Sequence, residues 1–431
     1  MTLPASAVPE NASPDVPLAG WLFEELRRRT GTAEGITRAS YGSGEAIAHA
    51  IVRREAEALG LAVAEDAALN LYATLPGRER GPITVVGSHL DSVPLGGNFD
   101  GAAGVLMGLS VLAGFRRAGV RPRRDVTVMA IRAEESTWFN ASYIGSRAAL
   151  GLLSAEAVDT AVRSDNGRTL ADCLSAAGGD PEVLRRGDAF LDPRSIGAFV
   201  EPHIEQGPCL VERGLPVGIV TGIRGSFRHR EARCLGAYAH SGATPRAARQ
   251  DAVSAVAALI TALNALWTDL AERGEDLAIT VGQISTDPAE HAFSKVAGRV
   301  DFALDVRSQS PGTLDRVRFA LGGLVSAVER EHRVACALGP LTGTEPARMD
   351  EAVVAALSEA SWASGLDSPP MACGAGHDAA VFAGAGVPTG MLFIRNEHGS
   401  HNPREAMALE DFAAAAAVLS RFCFDPPERR P

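Results

Sequence analysis

Apolar residues recur at helical spacing over Trp21 to Arg29 and Ala46 to Leu59, whereas Pro82-Ile-Thr-Val-Val-Gly-Ser88 is a short β-rich run of the kind buried strands show. Gly101 to Arg117, with Val105, Leu109 and Leu112 on one stripe, predicts a helix, and Asp125-Val-Thr-Val-Met-Ala-Ile131 predicts the next strand. This alternation predicts an α/β layered sheet. Past Gly222 the pattern changes to a strand (Arg230 to Leu235), an Ala-rich helix (Asp251 to Leu270), two strands (Ile279 to Ile284, Arg299 to Val306), a helix (Leu314 to Arg330) and a last strand (His332 to Leu338). That order suggests a compact α+β insert over 222–341. Glu351 to Ser364 resumes helix and Gly390 to Ile394 returns to a buried strand. The expected organisation is an open-sheet α/β domain over 1–221, interrupted by the insert and completed by 342–431. No internal repeat is present, and the Ala-rich segments are helix-forming rather than linkers.

Length agrees with two domains, since 431 residues exceed what one core usually organises. With 46% hydrophobic and 22% charged residues the chain is ordinary for a globular protein, and no apolar run approaches the roughly 20 residues of a membrane span. The start, MTLPASAVPENASPDVP, carries acids and prolines where a secretory signal needs a basic patch and an apolar stretch, so it reads as a loose leader of a cytoplasmic protein. Six dispersed cysteines without a CxxC pair suit reduced, mostly buried thiols. A net charge of -11, with nothing more basic than Arg121-Pro-Arg-Arg124, excludes nucleic acid as a partner.

Four polar clusters follow expected strands, where an open α/β sheet presents its ligand crevice. In Gly87-Ser-His-Leu-Asp-Ser92, His89 and Asp91 share one side, so the carboxylate can orient the imidazole. Gly96-Gly-Asn-Phe-Asp-Gly-Ala-Ala103 places Asp100 in a Gly-rich loop before a helix, where a carboxylate can bridge two cations. In Arg132-Ala-Glu-Glu-Ser136 adjacent carboxylates face different ways, so one can bind metal while the other serves as base. The fourth cluster is a pair of imidazoles, His203 in Glu201-Pro-His-Ile-Glu-Gln-Gly207 and His401 in His398-Gly-Ser-His-Asn-Pro403. Two histidines plus carboxylates with an open position form a hydrolytic zinc or manganese ligand set. Singly, each element has an ordinary explanation as a core histidine, a solvated acid pair or a turn. It is the ordered series that points to a metal site.

The runs GSHLDSVPLGGNFDGAAGV, EPHIEQGP, AHSGATP and GAGHDA resemble the dinuclear zinc amidohydrolases related to aminoacylase and bacterial carboxypeptidase, in the branch of N-carbamoyl-L-amino acid hydrolases, β-ureidopropionase and allantoate amidohydrolase. The resemblance runs from about Ile36 to Glu405. It implies two divalent metal ions per subunit (zinc, or manganese, cobalt or nickel), with His89, Asp100 and His203 in one arrangement and Asp100 bridging to a second metal held by Glu135 and His401. Glu134 is then the general base. The insert resembles the family's dimerisation or lid domain, whose His240 reaches a partner subunit's active site to stabilise the oxyanion. Arg307 stands where relatives bind the substrate carboxylate through a bidentate fork, and Gln206, Ser294, Gly376 and His377 stand at substrate-contacting positions. The resemblance thus implies a homodimeric hydrolase of a linear C–N bond in an N-carbamoyl- or ureido-substituted small amino acid. An N-acyl-amino-acid or dipeptide hydrolase is the alternative, and a non-catalytic binding protein would be expected to lack the base or the ligands. Three positions depart from the family pattern: Ser294 replaces an Asn, Arg246 replaces a Met, and Ser136-Thr-Trp138 replaces Gly-x-Arg. They touch the amide side of recognition rather than the metals.

Overall fold

The computed structural model describes residues 8–429, so the first seven residues of the expected leader lie outside the described residues. Glu10–Ala12 then forms a short 3-10 turn, and the first helix is Val16–Thr30. It begins earlier than its apolar stripe suggests because Asp15 caps it, accepting from Leu18 N at 3.1 Å, and Pro17 is pre-set for a first turn.

The described chain divides into two compact units, one running to Thr221 and resuming at Met349, the other Gly222–Arg348. In the first, the sheet order is Ala62–Glu65, Leu71–Leu75, Val126–Ile131, Ile83–His89, Ile196–Ile204, Thr389–Ile394, Val217–Ile223, with Pro370–Cys373 also on Val217–Ile223. Ile83–His89 lies parallel to both neighbours, as does Thr389–Ile394 to Ile196–Ile204. These strands are buried along almost their whole length, which is why they read as continuous apolar runs rather than alternating ones. Because they are parallel, their carboxyl ends meet at one edge. There His89 pairs in register with Ile131, and His203 with Phe393.

Helix Ala102–Ala118 packs across Ile83–His89 and Ile196–Ile204 through small residues. An added Cβ at Gly104 would stand 2.1 Å from the Pro202 carbonyl oxygen, so only glycine permits this approach. Residues 140–190 show no sustained helix or strand period in the sequence. Four short helices there (Ile144–Ala149, Ala155–Thr160, Leu170–Ala177, Pro181–Arg186) form a small core with Trp138 and Phe139. They are too short to show a periodic stripe.

The second unit is an antiparallel sheet in the order Ala335–Ala337, Gly225–Leu235, Arg299–Ser308, Ala278–Thr286, with Leu341–Thr344 also on Gly225–Leu235. Strand Arg299–Ser308 alternates buried and half-buried residues throughout. Its inner face carries Val300, Phe302, Leu304 and Val306 into a core shared with Leu259, Leu263, Val317 and Leu321 of helices Ala252–Glu272 and Pro311–His332. The second junction falls beyond the expected 341, because Leu341–Thr344 joins this sheet and Ala347 and Arg348 pair with Ile223 and Gly222. Helix Ala252–Glu272 is long and apolar enough to cross a membrane by length and composition alone. In this unit its Ala255, Val256, Leu259 and Leu263 are buried in the core.

Gly104→Ala tests the close approach. Alanine favours a helix by about 1 kcal/mol over glycine, but a methyl group against a backbone carbonyl forces strand and helix apart, and overpacking costs about 1–3 kcal/mol. The variant is expected to unfold at a lower urea midpoint than the wild type. A raised midpoint would contradict the packing argument.

Candidate metal centre

Asp100 is the hub of the polar cluster at the carboxyl edge of the parallel strands. Its Oδ1 stands 3.1 Å from His203 Nε2 and 3.8 Å from His89 Nε2, and its Oδ2 stands 3.3 Å from His401 Nε2. His401 Nε2 is in turn 3.7 Å from Glu135 Oε1. One carboxylate therefore serves two groups of donors, His89 with His203, and Glu135 with His401. Glu134 lies with His89 and Glu135 in an overlapping group. The geometry brings together all five expected ligand positions and the neighbouring Glu134. Everything here is buried except His401, whose side chain is 53% exposed, so the cluster opens to solvent on that side.

Backbone constraints fix these side chains. Gly101 opens the following helix at φ +64°, and its N–H donates to His203 Nε2 at 3.2 Å. A Cβ there would lie 2.5 Å from the His89 ring, so glycine is required twice over. His89 Nδ1 sits 3.1 Å from the Asp91 carbonyl and 3.4 Å from its carboxylate, and His203 Nδ1 sits 2.9 Å from the Ile204 carbonyl. Both imidazoles are thereby held with Nε2 toward Asp100. Ala133, Gln206, His398 and His401 all have positive φ, a strained state for non-glycine residues that gathers at functional sites.

The paired glutamates follow a turn held by two buried carboxylates. Glu45 accepts from Ala133 N at 2.9 Å, and Asp91 accepts from Glu134 N at 3.2 Å and Glu135 N at 3.1 Å. Arg132 Nη1 anchors Glu45 from the other side at 2.9 Å. Across the cluster, Glu405 accepts from Phe99 N, Asp100 N and Ser400 Oγ, while Ser400 is also 2.7 Å from Asp100 Oδ2. Gln206 Nε2 reaches both Asp100 oxygens at 3.1 and 3.2 Å. Glu45 and Glu405 carry no sequence signal, because the Ala133 and Phe99 amides they accept from lie in distant segments, and Ser400 stands inside the His401 run without a role legible from sequence. Glu201 and Asp378 stand inside the runs EPHIEQGP and GAGHDA without a role legible from sequence. In the structure Glu201 accepts from Ala379 N at 2.7 Å, and Asp378 accepts from Ser146 Oγ at 2.5 Å. His377 packs against the His203 ring, and Tyr143 covers Gly376 so closely that a Cβ there would lie 1.8 Å from its hydroxyl.

So many buried acids strain the site electrostatically. Burial raises Glu134 well above the carboxylate range, and burial with Asp100 close by pushes Glu135 up to about 7. Burial also lifts Glu405 and Asp378 to about 7 and Glu201 to about 8. Burial opposes charge on His89, yet Asp91, Glu134 and Asp100 hold its imidazole well above the usual value. Burial likewise opposes charge on Asp100, but His203 and His401 keep it well below. Buried Glu135 Oε1 and Gln206 Oε1 accept no hydrogen bond. Clustered imidazole and carboxylate donors with unpaired acceptors are what a divalent cation satisfies, so the residues fit such a group.

The remaining expected residues lie in the other unit. His240 lies opposite Lys295 in a two-stranded ladder, and just beyond it Ser241 N donates to the Ser294 carbonyl at 2.9 Å. Arg307 pairs with Asp305 at 2.8 Å. Of the departures from the family pattern, Arg246 is exposed in a short 3-10 turn, whereas Trp138 is buried with its Nε1 donating to the Ser92 carbonyl at 2.7 Å.

A pH dependence follows for metal-free protein. Glu135, Glu405, Asp378 and Glu201 have raised values when folded, so between the unfolded value near 4.5 (3.8 for Asp378) and about 7 or 8 the folded state binds more protons than the unfolded one. His89, also raised, acts in the same direction on passing above its ordinary 6.5. Buried His377 and His49, held well below 6.5, act the other way up to that value, so stability should fall as pH rises from 6.5 to 8. Thermal midpoints of chelator-treated protein are expected to drop over that range, with stabilisation by added divalent metal growing toward pH 8. A midpoint that rises with pH would contradict the charge assignment.

Residues 85–425 match the family described as Peptidase family M20/M25/M40. The chain is 36% identical over 391 residues to an N-carbamoyl-L-amino acid amidohydrolase of Geobacillus stearothermophilus, covering 89% of this chain and 92% of that one. It is 30% identical over 391 residues to an allantoate amidohydrolase of Bacillus subtilis, covering 90% and 91%. Its fold superposes on a crystal structure of an amidase of the hydantoinase/carbamoylase family from Burkholderia multivorans with a TM-score of 0.86, at 28% identity and with 96% and 98% of the two chains covered. With nearly four-fifths of its length matched and relatives aligned almost end to end, the chain belongs to peptidase family M20/M25/M40, as its motifs suggest.

Proposed function

We propose that this protein is a metal-dependent amidohydrolase that cleaves a linear C–N bond in an N-carbamoyl- or ureido-substituted small amino acid. The observation that carries the reading is Asp100, a buried carboxylate whose two oxygens face two separate groups of donors. His89, Asp100 and His203 would hold one divalent cation, and Asp100, Glu135 and His401 a second. Bound there, the cations would supply Lewis-acid polarisation of the scissile carbonyl and a lowered pKa for attacking water.

Glu134 takes the proton from that water and returns it to the leaving nitrogen. Its burial, which raises its affinity for protons, suits a group that must hold one between two steps. Gln206, Gly376 and His377 border the cluster and contact substrate, the missing side chain at Gly376 letting the Tyr143 hydroxyl approach its backbone. In the other unit, His240 Nδ1 accepts from Gly242 N and Ala243 N at 3.1 Å each, which leaves the proton on Nε2 as a donor for a developing oxyanion. Arg307 binds the substrate carboxylate and Ser294 lies on the amide side of recognition. The active form is a homodimer joined through the inserted unit, with His240 serving the partner's site, and it works in the cytoplasm. The reading rests on the named activities of the relatives together with the match of this donor set to hydrolytic metal chemistry.

Glu134→Gln preserves size and leaves the ligand set intact, so kcat should fall by about 100- to 10,000-fold with metal content unchanged. Elemental analysis and turnover of an N-carbamoyl amino acid on one sample check it, and near-normal turnover would remove Glu134 from the base role. Asp100→Ala should lose both metals, His401→Ala mainly one. A verified metal-free enzyme that still turned over substrate would contradict the reading. Product identification against a panel of N-carbamoyl, ureido and N-acyl acids settles the substrate class. Ammonia and CO2 are expected from a carbamoyl substrate, and release of a carboxylic acid alone would favour the acyl alternative.

A further inference from the structure

Cys234 and Cys336 stand directly opposite each other on adjacent antiparallel strands of the inserted unit, Gly225–Leu235 and Ala335–Ala337. Opposed residues put their side chains on the same face of the sheet. The two kinds of opposed pair differ in where the amides point, and the Cys336 N–H settles which this is. It donates to Glu329 Oε1 at 2.8 Å, on helix Pro311–His332, and so is turned away from the strand that carries Cys234. The pair is therefore the non-hydrogen-bonded kind, with Cα atoms about 4.5 Å apart, at the near end of the roughly 4.4–6.8 Å that a disulfide spans.

The two thiols differ in surroundings. Cys234 is fully buried in the core of the unit, while Cys336 is half-buried on a three-residue edge strand that a small molecule can approach. A hydrogen bond between them lowers the Cys336 thiol and raises that of Cys234, so Cys336 is the more readily ionised partner. That division suits an attacking and a resolving cysteine.

We propose that Cys234 and Cys336 form a reversible dithiol–disulfide pair, closed by exchange with a low-molecular-weight disulfide. The Cys336 thiolate attacks one sulfur of that disulfide, forming a mixed disulfide and releasing one thiolate. The Cys234 sulfur, giving up its proton to the medium, then attacks Cys336 Sγ and expels the second thiol. The two protein thiols are oxidised and the small disulfide is reduced to two thiols, so atoms and electrons balance. The bond ties the edge strand to the central sheet and encloses the chain that carries His240, Ser294 and Arg307. Reduced thiols are then the resting state of this pair, and the cross-link is a covalent clasp on the inserted unit made only under oxidation.

The test uses metal-loaded, full-length protein carrying Cys209→Ser to remove the exposed thiol. Reduced protein is incubated with oxidised glutathione, free thiols are capped with N-ethylmaleimide, and intact mass and a non-reducing digest are read. The expected result is loss of two hydrogens per chain, a linked Cys234–Cys336 peptide, a raised thermal midpoint, and full reversal by dithiothreitol. Adding Cys234→Ser should leave one glutathione on Cys336, and adding Cys336→Ser should leave Cys234 without glutathione. Maleimide on both cysteines, glutathione persisting on Cys336 while Cys234 is intact, or a link that forms only in urea would each overturn the proposal.

Discussion

Burying a carboxylate is tolerable only when something takes up its charge, and this fold gathers many of them within one small volume. Asp91, Asp100, Glu134, Glu135, Glu201, Asp378 and Glu405 are all buried around the carboxyl ends of the parallel strands. An isolated buried ion costs several kcal/mol, about the size of a typical domain's whole stability. The protein meets that constraint in two ways. Some of the acids receive directed backbone N–H groups, as Asp91 does from Glu134 and Glu135, and Glu405 does from Phe99 and Asp100. Others are left facing histidines and unpaired acceptors, the arrangement that a divalent cation completes.

These two groups of acids have different work. The N–H-bonded carboxylates shape the backbone. Glu45 and Asp91 together fix the turn at Ala133, whose positive φ lets two adjacent glutamates both come within reach of His89 while Glu135 also stands 3.7 Å from His401. Without that turn, neighbours in sequence could not serve as ligand and base at once. The parallel sheet supplies the remaining order, since strands that end at one edge bring His89 and His203 together from positions 114 residues apart. Close packing of a Gly-containing helix on the same strands then places Asp100 between them.

Much of this is legible in the residues. Fully buried strands such as Val126–Ile131 announce themselves as apolar runs, and the polar clusters that follow them contain every residue that gathers around Asp100 as a candidate ligand. The family resemblance carried the fold and the hydrolase chemistry, and the matches to known amidohydrolases agree with it. What stayed hidden depends on contacts between distant segments. Glu45 and Glu405 look like ordinary surface acids until the fold sets them under Ala133 and Phe99. The end of the insert leaves no trace in the pattern because Leu341–Thr344, an exposed edge strand, has no buried face. The short helices between 144 and 186 hide for a related reason, the longest having only eight residues.

The central claim is that one carboxylate, Asp100, joins two cation positions. A crystal structure of manganese- or zinc-loaded protein, with anomalous difference maps at the metal's absorption edge, tests it most directly. Two peaks are expected, one beside His89 and His203 and the other beside Glu135 and His401, each within coordination distance of a different Asp100 oxygen. A single peak at full loading, or two peaks that do not share Asp100, would contradict the account.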